Sequence, residues 1–267
     1  MSTSVIKLSS PETHEFWEIP IAFEDEHLLA INKPARLLSS PDRYDPNRPN
    51  LMKLLHAGIA EQKPWARERG LTYLANAHRL DFGTTGVLLL AKDKPTLVTL
   101  ANLFGAEKPL KSYIALVHGT PEEDSFDVDV PIGPHPRVLG LMAANPKSGK
   151  KSKTHFEVIT KWRGYTLVKC QPLTGRTHQI RVHLRWVQLP IVGDEQYRGA
   201  PLLLSQIKRK FRLGPGKIER PLISSVALHA EELTLPHPKS GELVTIKAEW
   251  PKDVRVAVKY LKEFAGL

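Results

Sequence analysis

Cysteine is almost missing from this chain: Cys170 is the sole thiol in 267 residues. That excludes an internal disulfide and any cysteine-based zinc cluster. Long apolar runs are missing too. Val87-Leu88-Leu89-Leu90-Ala91 is typical of the longest, far short of the roughly 18 residues that a membrane helix needs. The opening MSTSVIKLSSPETHEFWEIP has no basic segment leading into an apolar stretch, so no secretory signal is expected and the protein is assigned to the cytoplasm. Acidic charge is in short supply, with 28 Asp and Glu against 38 Lys and Arg, a net +10. This excess favours a polyanionic partner, and nucleic acid ranks ahead of a membrane because no basic amphipathic anchor stands out. The cations also cluster. Lys147, Lys150, Lys151, Lys153, Lys161 and Arg163 form one group, and Lys208, Arg209, Lys210, Arg212, Lys217 and Arg220 another.

Apolar periodicity sketches the architecture. Residues 1–18 are polar and aperiodic and are expected to form a loose arm. Strands are expected at Ile21-Ala22-Phe23 and from His27 to Asn32. A proline-rich loop (40–50, SPDRYDPNRPN) then leads to a helix over 51–62, where Leu51, Leu54, Leu55 and Ile59 recur at helical spacing. Strands over 86–92 and 111–118 flank a helix near 95–104. A long acidic and then Pro/Gly-rich connection is expected over 119–150. Strands at 153–162 and 165–172 lead into a helix from Arg176 to Trp186. Residues 201–220 read as a basic insertion around a short helix, and 225–234 with 242–249 as a hairpin. A final helix starts at an Asp253 cap and ends near Phe264. Strands that follow one another through turns argue for an α+β fold on a largely antiparallel or mixed central sheet with flanking helices. A single catalytic domain over 19–267 is expected.

Three stretches carry chemistry. In His78-Arg79-Leu80-Asp81-Phe82-Gly83-Thr84-Thr85-Gly86, a carboxylate sits in a Gly/Thr-rich turn that feeds an apolar strand. Taken alone, it reads as a turn-capping Asp beside a solvated Arg. Lys111-Ser112-Tyr113-Ile114-Ala115-Leu116-Val117-His118 alternates like a half-buried strand and carries one tyrosine. Leu173-Thr174-Gly175-Arg176-Thr177-His178-Gln179-Ile180-Arg181 passes from a turn into a helix that puts His178, Arg181 and Arg185 on one face. His178 and His183 lack metal-ligand spacing, so no metal is expected. Gly149-Lys150 lacks the upstream glycine of a phosphate loop. Cys170, in an apolar strand pattern, reads as core.

In this order the three stretches resemble the motifs of the RluA-type pseudouridine synthases. Asn32-Lys33-Pro34-Ala35, Gly193-Asp194 with Tyr197, and Leu228-His229-Ala230 extend the likeness from about residue 20 to 250. Thr85 stands where that family usually has Ser, and Arg36 where it usually has Gly. The resemblance implies the fold of that family with a central RNA-binding cleft, in a short form without an N-terminal S4-like domain. It also implies Asp81 as catalytic aspartate, Tyr113 as the ring that stacks on the target base, and Arg181 as the arginine that pairs with that aspartate. Ile180 is implied as an apolar neighbour, and Arg79 as the side chain entering the RNA helix when the nucleotide flips out. Arg176, His178, Lys208, Arg209 and Lys210 are further expected RNA contacts.

The implied reaction suits these residue types. Uridine becomes pseudouridine when the N1–C1′ bond breaks, the uracil turns and C5 joins C1′. No atom enters or leaves and nothing is oxidised, so no cofactor is expected. The enzyme must lift the base from its stack, at a cost of a few kcal/mol, and hold it against an ionised carboxylate. The substrate is expected to be a specific uridine in structured RNA, rRNA or tRNA. The protein is expected to be a monomer with no membrane and no obligatory protein partner. The alternative is a noncatalytic RNA-binding or ribosome-assembly protein on the same fold. It is disfavoured because a pure binder has no use for a carboxylate amid phosphates.

Overall fold

The structure, a computed structural model, describes residues 5–42, 48–214 and 216–267. Its first elements are β1 (Val5–Ser9), β2 (Phe16–Glu24), β3 (Leu28–Lys33), α1 (Leu51–Ala60), α2 (Pro64–Arg67), β4 (Ala75–Asn76), β5 (Thr85–Ala91) and α3 (Lys94–Gly105). There follow β6 (Leu110–His118), β7 (Ser125–Asp129), β8 (Ile132–Pro134), β9 (Met142–Ala144), β10 (Lys153–Trp162), β11 (Tyr165–Pro172), α4 (Gln179–Trp186) and α5 (Leu204–Ile207). The chain closes with β12 (Leu228–Pro236), β13 (Leu243–Lys247) and α6 (Lys252–Phe264). This is an α+β fold, and it packs as two compact units. The first takes residues up to Leu110 together with Ala230–Glu249, the second Lys111–His229 with Trp250–Leu267.

In the first unit the sheet order is β1-β2-β3-β5-β12, with β13 on β12 and β4 on β5. All seven residues of β5 are buried, as its unbroken apolar run requires of a central strand. β3 runs antiparallel to it, from Leu28 opposite Ala91 to Lys33 opposite Gly86. α3 starts where the Asp93 carboxylate accepts the Thr96 N–H at 2.7 Å, an N-cap bond that satisfies one of the free amides of the first turn. Leu28, Val87, Leu89, Leu100, Leu233 and Ile246 close the core. In the second unit β6, β11, β10 and β7 pair antiparallel in that order, and β8 and β9 form a separate hairpin. Its core joins Leu116, Phe156, Val168 and Cys170 to Leu184 of α4 and to Val254, Ala257 and Leu261 of α6. Burial pushes the Cys170 thiol far up, so it is inert core.

Several expectations need correction. Within the arm expected over 1–18, β1 is regular structure: it pairs with β2 from Val5 opposite Pro20 and buries Ile6 and Leu8. Two apolar residues among Ser and Lys are too weak a signal for a strand. The connection over 119–150 holds β7, β8 and β9, whose few apolar positions are diluted by Asp, Pro and Gly. α4 begins at Gln179, because His178 adopts φ 56° and cannot continue a helix backward. α6 is capped at Pro251; the Asp253 carboxylate instead accepts from Ser224 N–H (3.2 Å) and Oγ–H (3.3 Å). Part of the proline-rich loop, 43–47, lies outside the described residues.

Two positive φ angles bracket the β3–β5 pairing. Gly86 has φ +112°, and a Cβ there would lie 2.2 Å from the Ala230 carbonyl oxygen and 2.6 Å from its nitrogen. Arg36 has φ 60°, a left-handed conformation that suits glycine better. Gly86→Ala should therefore cost about 3 kcal/mol or more, strain adding to overlap. Arg36→Gly should leave stability unchanged or raise it by up to about 1 kcal/mol, since backbone relief offsets the added freedom of the unfolded chain. Urea unfolding followed by circular dichroism measures both; a Gly86→Ala protein as stable as wild type would mean that β12 has room to spare there.

Candidate active site

Asp81 lies in the first unit, on the turn between β4 and β5. That turn is pinned at consecutive backbone positions. Ser39 Oγ–H donates to the Leu80 carbonyl at 2.8 Å, and the Leu80 N–H donates back to Ser39 Oγ at 3.1 Å. The Arg36 N–H donates to the Phe82 carbonyl at 2.7 Å, and the Thr84 N–H to that of Asp81 at 3.1 Å. Upstream, His78 Nε2 accepts the Leu89 N–H at 3.0 Å, and its ring stacks on Phe104 with centroids 4.6 Å apart. The Asp81 side chain is half-buried, while Arg79 and Phe82 are exposed on either side of it.

Beneath this turn is a residue noticed in the sequence only as part of a flanking motif. Lys33 is fully buried. Its ammonium donates to the carbonyls of Pro34 (2.8 Å) and Leu37 (2.7 Å). Burial lowers its pKa from the ordinary lysine value to about 7, opposed by the negative charge of Asp81. The ammonium thus ties residues 33–37 into a loop, and that loop carries the Arg36 amide that fixes Phe82.

Arg181, on α4 of the second unit, is buried and committed to a second carboxylate. Its Nε–H and Nη2–H donate to the two oxygens of Asp194, each at 2.7 Å, a planar fork of the strong bidentate kind. Nη2 also donates to Gln196 Oε1 at 2.7 Å. The guanidinium carbon lies 4.7 Å from the centre of the Tyr197 ring, within cation–π range. The Tyr197 hydroxyl donates to the Met142 carbonyl and accepts its N–H, both at 3.1 Å, and His178 Nδ1 lies 2.8 Å from it. Asp194 and Tyr197 stood in the quoted Gly193-Asp194…Tyr197 stretch, but nothing in the spacing pointed to Arg181 as their partner.

The turn that enters α4 hangs on Gln179. Its Oε1 accepts from Thr174 Oγ–H (2.6 Å) and Arg176 N–H (3.0 Å). Its Nε2 donates to the Lys153 carbonyl (2.9 Å) and Thr154 Oγ1 (3.0 Å). His183 continues this network, with Nδ1 2.8 Å from Thr154 Oγ1 and Nε2 3.0 Å from the Val130 carbonyl. Burial lowers its pKa, so it sits in the core as a neutral, structural ring. Ile180 packs into the core of its unit. Tyr113 is half-buried on β6, opposite Cys170 of β11. Arg176 Nε–H donates to the Lys151 carbonyl at 3.0 Å.

The basic clusters are not uniform. Lys153 pairs with Asp127 at 2.8 Å and Lys161 with Asp124 at 2.7 Å, so β7 and the residue before it neutralise two cations of the first cluster. Lys147, Lys150 and Lys151 are exposed, as are Lys208, Arg209 and Lys210. Among the described residues no three His, Cys, Asp or Glu side chains group as a metal site, and no helix is long and apolar enough to cross a membrane.

Comparison with known proteins gives the relatives of this chain. The profile of a family described as RNA pseudouridylate synthase matches residues 27–186. The chain is 36% identical to the ribosomal large subunit pseudouridine synthase D of Nitrosomonas europaea over 254 residues, covering 94% of this chain and 68% of that one. It is 30% identical to YlyB of Bacillus subtilis, described as an uncharacterized RNA pseudouridine synthase, covering 92% of this chain and 74% of that one. Among solved structures, human RNA pseudouridylate synthase domain containing 4 superposes with a TM-score of 0.67 at 25% identity, over 91% of this chain and 92% of that one.

The two buried charges differ in what their removal does. Asp194→Asn removes the bidentate carboxylate partner of the buried Arg181 guanidinium, at an expected cost of about 3–5 kcal/mol, read as a lower urea midpoint; a shift of only a few tenths would mean that the other contacts of Arg181 hold it in place. Lys33 has a folded pKa near 7 against 10.5 unfolded, so between those values the unfolded chain holds the extra proton and stability rises with pH. Lys33→Met should flatten that rise by about 1.4 kcal/mol per pH unit at most. Unfolding free energies of both proteins from pH 6 to 10 decide it, and parallel curves would take Lys33 out of the balance.

Proposed function

The chain belongs to the RNA pseudouridylate synthase family, and from that premise we propose that Asp81 is the carboxylate with which it isomerises a uridine of structured RNA to pseudouridine. The observation that carries this assignment is the setting of Asp81: a half-buried carboxylate on a turn whose backbone is fixed at Leu80, Asp81 and Phe82. A rigid scaffold that presents a reactive side chain from a loop is how catalytic groups are commonly held. Exposed Arg79, two residues upstream, suits the expected role of filling the stack as the nucleotide leaves it. Tyr113 is proposed as the stacking ring for the uracil, its half-buried position on a regular strand giving the ring a fixed plane. Arg181 is proposed as the cation of the same reaction, with Ile180 as an apolar neighbour. Arg176, His178, Lys208, Arg209 and Lys210 are proposed to touch RNA.

On this reading both compact units serve one catalytic domain over 19–267, acting in the cytoplasm as a monomer without an obligatory protein partner. Ribosomal RNA of the large subunit is the first substrate to test, because relatives such as that of Nitrosomonas europaea carry that name. Asn is nearly isosteric with Asp but cannot serve as a carboxylate nucleophile or base. Asp81→Asn should therefore abolish tritium release from RNA labelled at uridine C5 while RNA affinity and thermal stability stay near wild type. Turnover that persists in Asp81→Asn would remove this residue from the reaction.

A further inference from the structure

α6 is amphipathic in a way that leaves one face unexplained. Val254, Ala257, Val258 and Leu261 go into the core of the second unit, and Tyr260 and Phe264 pack half-buried against it. The exposed ridge consists of Lys252, Arg255, Lys259 and Lys262. Spaced i, i+3, i+7 and i+10, they lie along one side of the helix and span about 15 Å at 1.5 Å per residue. None of the four side chains makes a hydrogen bond or ion pair with a described residue. This contrasts with Lys153 and Lys161, which the same unit neutralises. Of the nearby acids, Asp253 is engaged by Ser224, leaving Glu263 against four cations.

The charge continues past the helix. At its C-terminal end the Arg163 guanidinium donates to the Phe264 carbonyl at 3.3 Å, and the Lys208 ammonium lies 4.8 Å from the centre of the Phe264 ring. A shallow depression of about 470 Å³ lined by Arg255, Val258, Lys259, Lys262 and Glu263 runs beside the ridge.

We propose that this ridge is a docking surface for the phosphate backbone of an RNA duplex, a contact additional to those at the reacting nucleotide. The proposal rests on the reading that the substrate is RNA. Three features choose this occupant. Four unpaired cations in a row on a rigid helix match a polyanion whose charges also lie in a row. No aromatic side chain belongs to the ridge, so it lacks the stacking platform that single strands use; contact with phosphates alone recognises helical shape and not sequence. The apolar face of α6 is spent in the core, so the helix cannot lie in a membrane interface as a basic amphipathic anchor would.

The test is the salt dependence of binding to a 20-base-pair RNA duplex and to a single strand of equal length, measured by fluorescence anisotropy. A variant carrying Lys252→Gln, Arg255→Gln, Lys259→Gln and Lys262→Gln should bind the duplex with a log–log salt slope shallower by about 3, near 0.7–0.9 for each lost phosphate contact. The single strand should be affected less. A control with the same charge change on the first unit, Lys63→Gln, Lys94→Gln, Lys108→Gln and Lys239→Gln, should move the slope by less than one. Equal effects in ridge and control variants, or an unchanged slope in the ridge variant, overturn the proposal, as does loss of binding to anionic phospholipid vesicles without loss of duplex binding. Circular dichroism confirms that α6 remains folded. Because only binding is measured, a wild-type protein that made no pseudouridine would count against the Asp81 reading and leave this result standing.

Discussion

The buried fork between Arg181 and Asp194 is the interaction around which the second unit is organised. Two charges taken out of water return their desolvation cost only if the geometry is close to ideal and every remaining donor and acceptor is used. The segment 191–200 is folded to meet that demand. The Asp194 N–H donates to the Ile191 carbonyl and the Gly199 N–H to that of Asp194, which closes the segment on itself. A Cβ at Gly199 would fall 1.7 Å from the Ile191 carbonyl oxygen, so only glycine permits the closure. The same turn delivers Gln196 to the second Nη2 bond and the Tyr197 ring to the guanidinium. One ion pair thus dictates the residue types of a whole loop.

The first unit meets the same problem with different means. Lys33 is buried without a carboxylate in hydrogen-bond contact and is satisfied by two backbone carbonyls. Carbonyl dipoles stabilise an ammonium less than a carboxylate does, hence the downward pull on its pKa. The gain is geometric: a single side chain curls the backbone from Pro34 to Leu37 into the support for the Asp81 turn. Both units use a buried cation to hold loop backbone in place, the one through an anion and the other directly.

Much of this was legible in the sequence, for physical reasons that differ by element. β5 and β6 announced themselves through continuous or alternating apolar residues, and α1 through the helical spacing of Leu51, Leu54, Leu55 and Ile59. The site stretches stood out because several chemically unusual residues share short segments. What escaped was set by contacts distant in sequence. The commitment of Arg181 to Asp194 spans a turn and a loop, and nothing local marks Lys33 as buried. α4 starts late because His178 turns left-handed beside Tyr197, a contact made across 19 residues. β7 to β9 escaped because short strands amid Asp, Pro and Gly carry too little apolar pattern to register.

The discontinuity of the two units bears on how the chain is made. Backbone connections cross between them after Leu110, His229 and Glu249. β5, the most apolar strand of the first unit, is flanked by β3 on one side and by β12 on the other. During synthesis β12 leaves the ribosome only after the long first stretch of the second unit. Until then that side of a fully apolar strand is paired only at its end, where β4 meets Leu90 and Ala91, and such edges invite pairing with other chains. The same holds for any fragment cut before residue 230: it would keep the Asp81 turn and its Lys33 support yet expose the strand that follows, and neither unit can be produced whole as one uninterrupted stretch of this sequence.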